Sequence, residues 1–394
     1  MKIAIVSPMV LPCPPVKGGA VEMLTWYLAE GAAKENEVDL YTKYDEKLDE
    51  IEYKNINIIK IKIGNLKVKL QRYYDKINYK FFKGKLNFYS FIDKKTAKEI
   101  SKHKYDYIIV ENEMVLYKYI YKYTKKTNAK LIYHIHNDFG AANRTKKYYE
   151  IIDETASDII AISKYIKERC IEFGKTDNVH VLYNCIDENL YSNNKENFRK
   201  EYKISEKELV IGFSGRLLKE KGILELVQAF KKIKTNKKLR LLIVGTNNFA
   251  NLKKDKYLMQ VYKEIENIKE KVTFTGYVDI EDMPKIYNTM DILVVPSMWE
   301  EPLGCVAIEG MARGVPIVAT RSGGLPEMIS ENNGFLVEKE RNVVDNILEK
   351  LQLLVDNEKL LQKIRKKTEE DFWKHTEYYK SNYYENFKKC IDKK

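Results

Sequence analysis

No run of eighteen apolar residues occurs anywhere in the 394-residue chain, which excludes a helix spanning a membrane. The first ten residues, MKIAIVSPMV, are too short an apolar run, broken by proline and without a small-residue cleavage site, to read as a signal peptide; they read as a first strand. The five cysteines, Cys13, Cys170, Cys185, Cys305 and Cys390, are scattered with no C-x-x-C, which points to a reducing cytoplasm and away from a structural metal. There is no G-x-G-x-x-G, no repeat, no low-complexity tract, and no helix-turn-helix, zinc or RNA-binding signature.

What the chain has in excess is positive charge, +12 overall, with lysine far ahead of arginine. A basic protein suits nucleic acid, anionic lipid or anionic small molecules, and the missing nucleic-acid signatures remove the first. The charge peaks in residues 66–102, where eleven basic residues face three acids among eight aromatics. That composition fits docking on an anionic membrane surface; a solvated helix with its aromatics packed inward is the competing reading. The length suits two domains of ordinary size.

The pattern organising the chain lies at residues 291–329. Residues 291–295 form a short apolar strand ended by Pro296. An acidic loop follows, and Gly304 opens a helix with Cys305, Ile308 and Ala312 on one face. Gly314 and Pro316 stop that helix, residues 316–320 form the next strand, and Ser322-Gly323-Gly324 is a tight loop before a helix expected near Pro326. Alternating strands and helices predict a parallel sheet, whose ligands bind beyond the carboxyl ends of the strands. Glu301 and Glu309 bracket the helix start, where the amides of Gly304, Cys305 and Val306 favour an anion.

The same grammar recurs elsewhere. Residues 2–7 form a strand, Gly18-Gly19 a loop that allows close approach of a phosphate, and Val21, Leu24, Leu28 and Ala32 a helical stripe. Residues 209–213 form a strand followed by Ser214-Gly215-Arg216; Lys221-Gly222 then leads into a helix with Ile223, Leu226, Val227, Phe230 and Ile233 buried. Arg216 and Lys221 supply a fork and a point charge around one loop. His134 and His136 point the same way from a strand; a metal pair is conceivable, with no third ligand evident, and a pair of merely buried histidines is the alternative.

Taken together, Pro296-Ser297, Glu301, Glu309, Met311-Ala312, Gly314, Pro316 and Gly323-Gly324 with Glu327 resemble the signature of retaining glycosyltransferases of family 4, which have the GT-B fold. G-R-L-x-x-x-K-G at residues 215–222, the Gly18-Gly19-x-x-Glu22 loop and the His134-x-His136 segment resemble further motifs of that family, over nearly the whole chain. Gly310 stands where alanine is usual, and Cys185 in Asn184-Cys185-Ile186-Asp187 where glycine is usual.

The resemblance implies an α/β GT-B fold: two Rossmann-like domains, 1–190 and 201–372, facing a central cleft, with a polar linker at 192–200 and a C-terminal helix, within 373–394, crossing back to the first. It implies transfer of a sugar from a nucleotide-diphosphate donor, most commonly UDP, to a hydroxyl of a glycan or lipid-linked acceptor in surface polysaccharide synthesis, with retention. Arg216 and Lys221 would hold the diphosphate, Glu301 the sugar, Glu309 the ribose, Tyr277 and Val278 the base, and His136 the donor sugar, with Gly18, Gly19, Gly215, Gly304, Cys305 and Val306 around them. No D-x-D occurs, so no metal and no cofactor is expected. Two rivals stand beside this reading: a nucleotide-sugar 2-epimerase on the same fold, and a non-catalytic coat-associated protein with a degenerate donor site.

Overall fold

The computed structural model describes residues 1–82, 90–139, 143–174, 177–192, 195–246 and 255–391, with the side chains of 79–82 and 143–147 left aside. The chain forms two compact units, Met1–Asn184 with Lys380–Lys394, and Cys185–Tyr379.

The first unit is built on seven strands: β1 (Lys2–Val6), β2 (Glu37–Lys43), β3 (Ile56–Ile61), β4 (Tyr107–Glu111), β5 (Lys130–Ile135), β6 (Asp158–Ala161) and β7 (Val179–Val181). They lie in the order β3-β2-β1-β4-β5-β6-β7, every pairing parallel. Its helices are α1 (Ala20–Ala32), α2 (Asn65–Phe82), α3 (Phe91–Ile100), α4 (Met114–Thr124), α5 (Asn143–Thr155) and α6 (Lys164–Phe173). Leu24, Leu28 and Ala32 of the expected α1 stripe are buried. Strand order reverses between β1 and β4, the switch point of the sheet, and the loops leaving those two strands carry Gly18-Gly19 and Asn112.

The second unit repeats the plan with six strands: β8 (Glu208–Ser214), β9 (Lys238–Val244), β10 (Val272–Gly276), β11 (Ile292–Val295), β12 (Ile317–Thr320) and β13 (Gly334–Val337), ordered β10-β9-β8-β11-β12-β13 and all parallel. Helices α7 (Glu188–Ser192), α8 (Ile223–Lys232), α9 (Lys256–Ile265), α10 (Met283–Thr289), α11 (Cys305–Ala312), α12 (Val343–Asp356) and α13 (Glu358–Phe372) accompany them. β11 and β12 are buried throughout, as expected of strands covered on both faces. The α8 stripe Ile223, Leu226, Val227 and Phe230 joins the core with Ile211, Ile243 and Ile292. Full burial of each such side chain is worth roughly 1.5–3 kcal/mol. Reversal between β8 and β11 puts the Arg216–Lys221 loop beside the acidic loop after β11.

Two local expectations change. The segment at Pro326 is no helix but a single 3-10 turn, Leu325–Glu327, because the chain must turn again at Ser330–Gly334 to enter β13. The divide between the units falls at Asn184 and Cys185, ahead of the polar stretch 192–200. Residues beyond it are anchored in the second unit: Arg313 donates to the Tyr191 carbonyl, and Arg199, 7% exposed, pairs with Asp291 at 2.8 Å. The last helix, α14 (Lys380–Ile391), packs on α1. A Cβ on Gly31 would stand 2.5 Å from Tyr384 Cβ, so the glycine sets that close approach.

Candidate active site

In the second unit the site is assembled by two glycines that bring three loops together. After β8 the chain makes a 3-10 turn, Lys219–Lys221, which ends at Gly222 with φ +70°. A Cβ there would lie 1.8 Å from the Pro296 carbonyl oxygen, so only glycine lets this turn sit on the loop after β11. Met298 N donates to the Glu220 carbonyl at 2.8 Å and joins the loops again. On the other side Gly323, φ +52°, presses against the Glu301 backbone, where a Cβ would be 2.0 Å from the Glu301 carbonyl oxygen. Gly324 N donates to that oxygen at 2.8 Å, and Glu301 N donates to Ser322 Oγ at 3.2 Å.

Thus held, the Glu301 carboxylate collects donors. Lys221 Nζ donates to both its oxygens at 3.0 and 2.8 Å; Ser297 Oγ and Trp299 Nε1 each donate to Oε2 at 2.9 Å. The Lys221 ammonium also lies 5.0 Å from the Trp299 ring centre, a cation–π contact. Glu301 is 8% exposed. Burying this charge is made tolerable by the three donors around it.

Arg216 differs from Lys221. It is exposed, and among the described residues its guanidinium makes no hydrogen bond or ion pair. The loop that carries it begins at Gly215, φ +147°, and Gly245 packs so closely that a Cβ would lie 2.1 Å from the Gly215 carbonyl oxygen. Helix α11 starts at Gly304, φ +97°, with no side-chain cap; Cys305 and Val306 are half-buried in its first turn. Such a start presents amide hydrogens and the positive end of the helix dipole. Glu309 lies further along α11 and accepts from the Tyr287 hydroxyl at 2.6 Å. It is partly buried, and burial of its carboxyl pushes it up to about 7 against the Tyr287 hydrogen bond. Tyr277 projects beyond β10 and is 57% exposed, with Val278 half-buried beside it.

In the first unit Gly18 and Gly19, both at positive φ, precede α1. A Cβ on Gly19 would stand 2.2 Å from the buried Glu22 carboxyl. His136 lies just beyond β5 and is buried; its Nε2 is 2.6 Å from Glu111 Oε2, and His134 Nδ1 is 3.0 Å from the same oxygen. The third member missing from the histidine pair in sequence is therefore Glu111. It ends β4 directly opposite His134, and the strand pairing that joins them is not legible along the chain. These three are the described residues whose donor atoms lie close enough, within 4.8 Å, to be candidate metal ligands.

Within the second unit, then, Lys221 and Glu301 are brought into contact, Arg216 is left uncommitted, and Glu309 is engaged by Tyr287. Sequence reading missed Trp299 and Ser297 as donors to Glu301, although both stand within four residues of it. It had no signal for Tyr287, which lies on a different helix.

The chain matches two family descriptions, "Glycosyltransferase Family 4" over residues 18–190 and "Glycosyl transferases group 1" over residues 194–371. It is 30% identical to the lipopolysaccharide 1,2-N-acetylglucosaminetransferase of Salmonella typhimurium, over 71% of this chain and 74% of that one. It is 26% identical to spore coat protein SA of Bacillus subtilis, over 94% and 96% of the two chains. The structure of Anabaena HepE in complex with UDP and glucose superposes with a TM-score of 0.76 at 18% identity, covering 99% of each chain. The chain therefore belongs to the family 4, group 1 glycosyltransferases and shares their GT-B fold of two parallel-sheet Rossmann-like domains.

Proposed function

We propose that this glycosyltransferase moves a sugar, with retention and without a metal, from a UDP-sugar to a hydroxyl of a glycan or lipid-linked acceptor in surface polysaccharide synthesis. The observation that carries the proposal is the Lys221–Glu301 pair, with Arg216 uncommitted on the same loop and the uncapped start of α11 following Glu301. The UDP in the HepE structures and the named activity of the Salmonella relative support the donor class and the polysaccharide setting.

In this reading Arg216, Lys221 and the α11 start at Gly304, Cys305 and Val306 neutralise the diphosphate as it leaves. Glu301 accepts from sugar hydroxyls, Glu309 from the ribose, and Tyr277 and Val278 hold the base. Gly215 lies beside the donor, Gly18 and Gly19 let the backbone approach the diphosphate closely, and His136 meets the donor sugar. The anomeric carbon–phosphate oxygen bond breaks and the acceptor oxygen bonds to the same face. The acceptor proton passes to the departing phosphate oxygen, so no covalent nucleophile is assigned. Incubation with UDP-sugars and no acceptor is expected to release free UDP slowly, and Glu301→Gln should stop it. A wild-type protein that binds UDP-sugars but releases none, even with glycan acceptors, would favour the second reading. That reading, a coat-associated protein with a disused donor site, draws on the likeness to spore coat protein SA.

The acceptor side is proposed to meet an anionic lipid surface from the cytoplasmic face. Among the described residues no helix is long and apolar enough to cross a membrane. On α2, Leu66, Leu70 and Tyr73 are 71%, 48% and 66% exposed in one stripe, flanked by exposed Lys67, Lys69, Arg72 and Lys76. Asp75 is engaged by Gln71. Lys83, Lys85, Phe88 and Tyr89 of the expected segment lie outside the described residues. Each lysine near such a surface contributes about 1 kcal/mol. Wild-type protein should pellet with anionic vesicles at low salt, and a variant with Lys67, Lys69 and Lys76 changed to Glu should not; a wild type left in the supernatant contradicts the proposal.

A further inference from the structure

β4 and β5 run parallel with Glu111 in register with His134. Immediately after Glu111 the chain turns at Asn112, φ +57°, whose Oδ1 accepts from His136 N at 2.9 Å and Asn137 N at 3.1 Å. This draws the backbone beyond β5 across the end of β4 and sets the His136 ring over the Glu111 carboxylate. Both imidazoles converge on one oxygen, His136 Nε2 at 2.6 Å and His134 Nδ1 at 3.0 Å, with ring centres 4.1 Å apart. The His134 contact is close enough for an ion pair but poorly aligned for a hydrogen bond, whereas His136 makes one. Among the described residues, Glu111 Oε1, His134 Nε2 and His136 Nδ1 are buried with no hydrogen-bond partner.

We infer that Glu111 is the positioning residue of His136: it holds the imidazole proton on Nε2 and leaves the buried, unpartnered Nδ1 as a bare lone pair. An ionised carboxylate only accepts, so the nitrogen 2.6 Å from it must carry the hydrogen. A neutral imidazole with its proton there can only accept at Nδ1. Two imidazole nitrogens facing one carboxylate oxygen favour its ionised, accepting form. The other titratable groups that sense Glu111, Cys13 and Tyr133, are both pushed well up by burial and bring no cation. A metal would need its three donors around a common point, each about 2.0–2.2 Å from the ion and so more than 2.6 Å from one another. Here two of the three meet directly, His136 Nε2 donating to Glu111 Oε2 at 2.6 Å, with His134 Nδ1 3.0 Å from the same oxygen.

The inference rests on His136 touching substrate, and the test separates the two claims. The full chain, with histidine ring nitrogens labelled, is read by nuclear magnetic resonance between pH 5.5 and 8. Wild type is expected to show His136 neutral and protonated on Nε2 throughout. In Glu111→Gln and Glu111→Ala the Nδ1-protonated form should become populated. Nδ1 protonation in wild type, an unchanged tautomer in both variants, or a stoichiometric divalent metal in the purified protein would each overturn the inference. The wild-type measurement needs no variant to fold. In turnover, Glu111→Gln should lose at least tenfold in kcat with KM for the donor within about threefold, and should cost less than twofold more in a His136→Ala background. Full activity in His136→Ala alone would instead remove the substrate contact, with the tautomer still deciding the part of Glu111.

Discussion

Lys221 reaches both oxygens of Glu301, at 3.0 and 2.8 Å, while its ammonium rests over the Trp299 ring. The side chains are 20% and 11% exposed, so the pair is only partly screened by water. A cation engaged in this way is not free to serve a diphosphate alone; in the proposed role it would serve a carboxylate and an incoming anion together. Hydrogen bonds to charged groups contribute roughly 1.5–3 kcal/mol each. A double-mutant cycle with Lys221→Met and Glu301→Gln, read by urea unfolding, is expected to give a coupling of about 1 kcal/mol or more. A coupling near zero would make the contact incidental.

Glu309 supplies the pH dependence. Burial pushes its carboxyl up to about 7, so the folded chain holds a proton that the unfolded chain has already released near pH 4.5. That contribution to stability is present at low pH and is lost as pH rises through 7. If the carboxylate accepts from the ribose, UDP affinity should rise roughly tenfold from pH 6 to pH 8, as the ionised fraction grows. Glu309→Gln should flatten this rise relative to wild type. The same slope in both proteins, measured by calorimetry, would assign it to the nucleotide's own phosphate instead.

Much of this was legible along the chain, and the remainder was not for identifiable reasons. β8, β11 and α8 follow from apolar runs and spacing, because strands covered on both faces must be apolar throughout. The loops around Glu301 and Lys221 follow from motif spacing. The helix at Pro326 failed because proline starts a helix and a 3-10 turn alike, and the return to β13 decides between them. Glu111 was invisible because its partners come from the next strand of the sheet, and Tyr287 because it meets Glu309 from another helix. The stretch 192–200 looked like a linker until Asp291, 92 residues beyond Arg199, paired with that buried arginine.

Gly222 is a simple test of the loop architecture. Its φ of +70° costs another residue about 1–2 kcal/mol, and a Cβ would strike the Pro296 carbonyl at 1.8 Å. Gly222→Ala should therefore lower stability by about 2 kcal/mol or more and loosen the Lys221–Glu301 contact, with turnover falling more than tenfold. A fully stable, fully active variant would show that the two loops are not held together in this way.

The most direct test of the account is calorimetric titration of UDP into the full chain in the presence of EDTA, beside Arg216→Ala. Arg216 is exposed and uncommitted among the described residues, so its removal should leave the melting temperature unchanged. Its charge-assisted contact with the diphosphate should be worth about 1.5–3 kcal/mol, roughly a 10- to 150-fold loss of affinity. UDP binding is expected to survive EDTA and to weaken by at least tenfold in Arg216→Ala. Binding that requires an added divalent ion, or binding that the substitution leaves untouched, would contradict it.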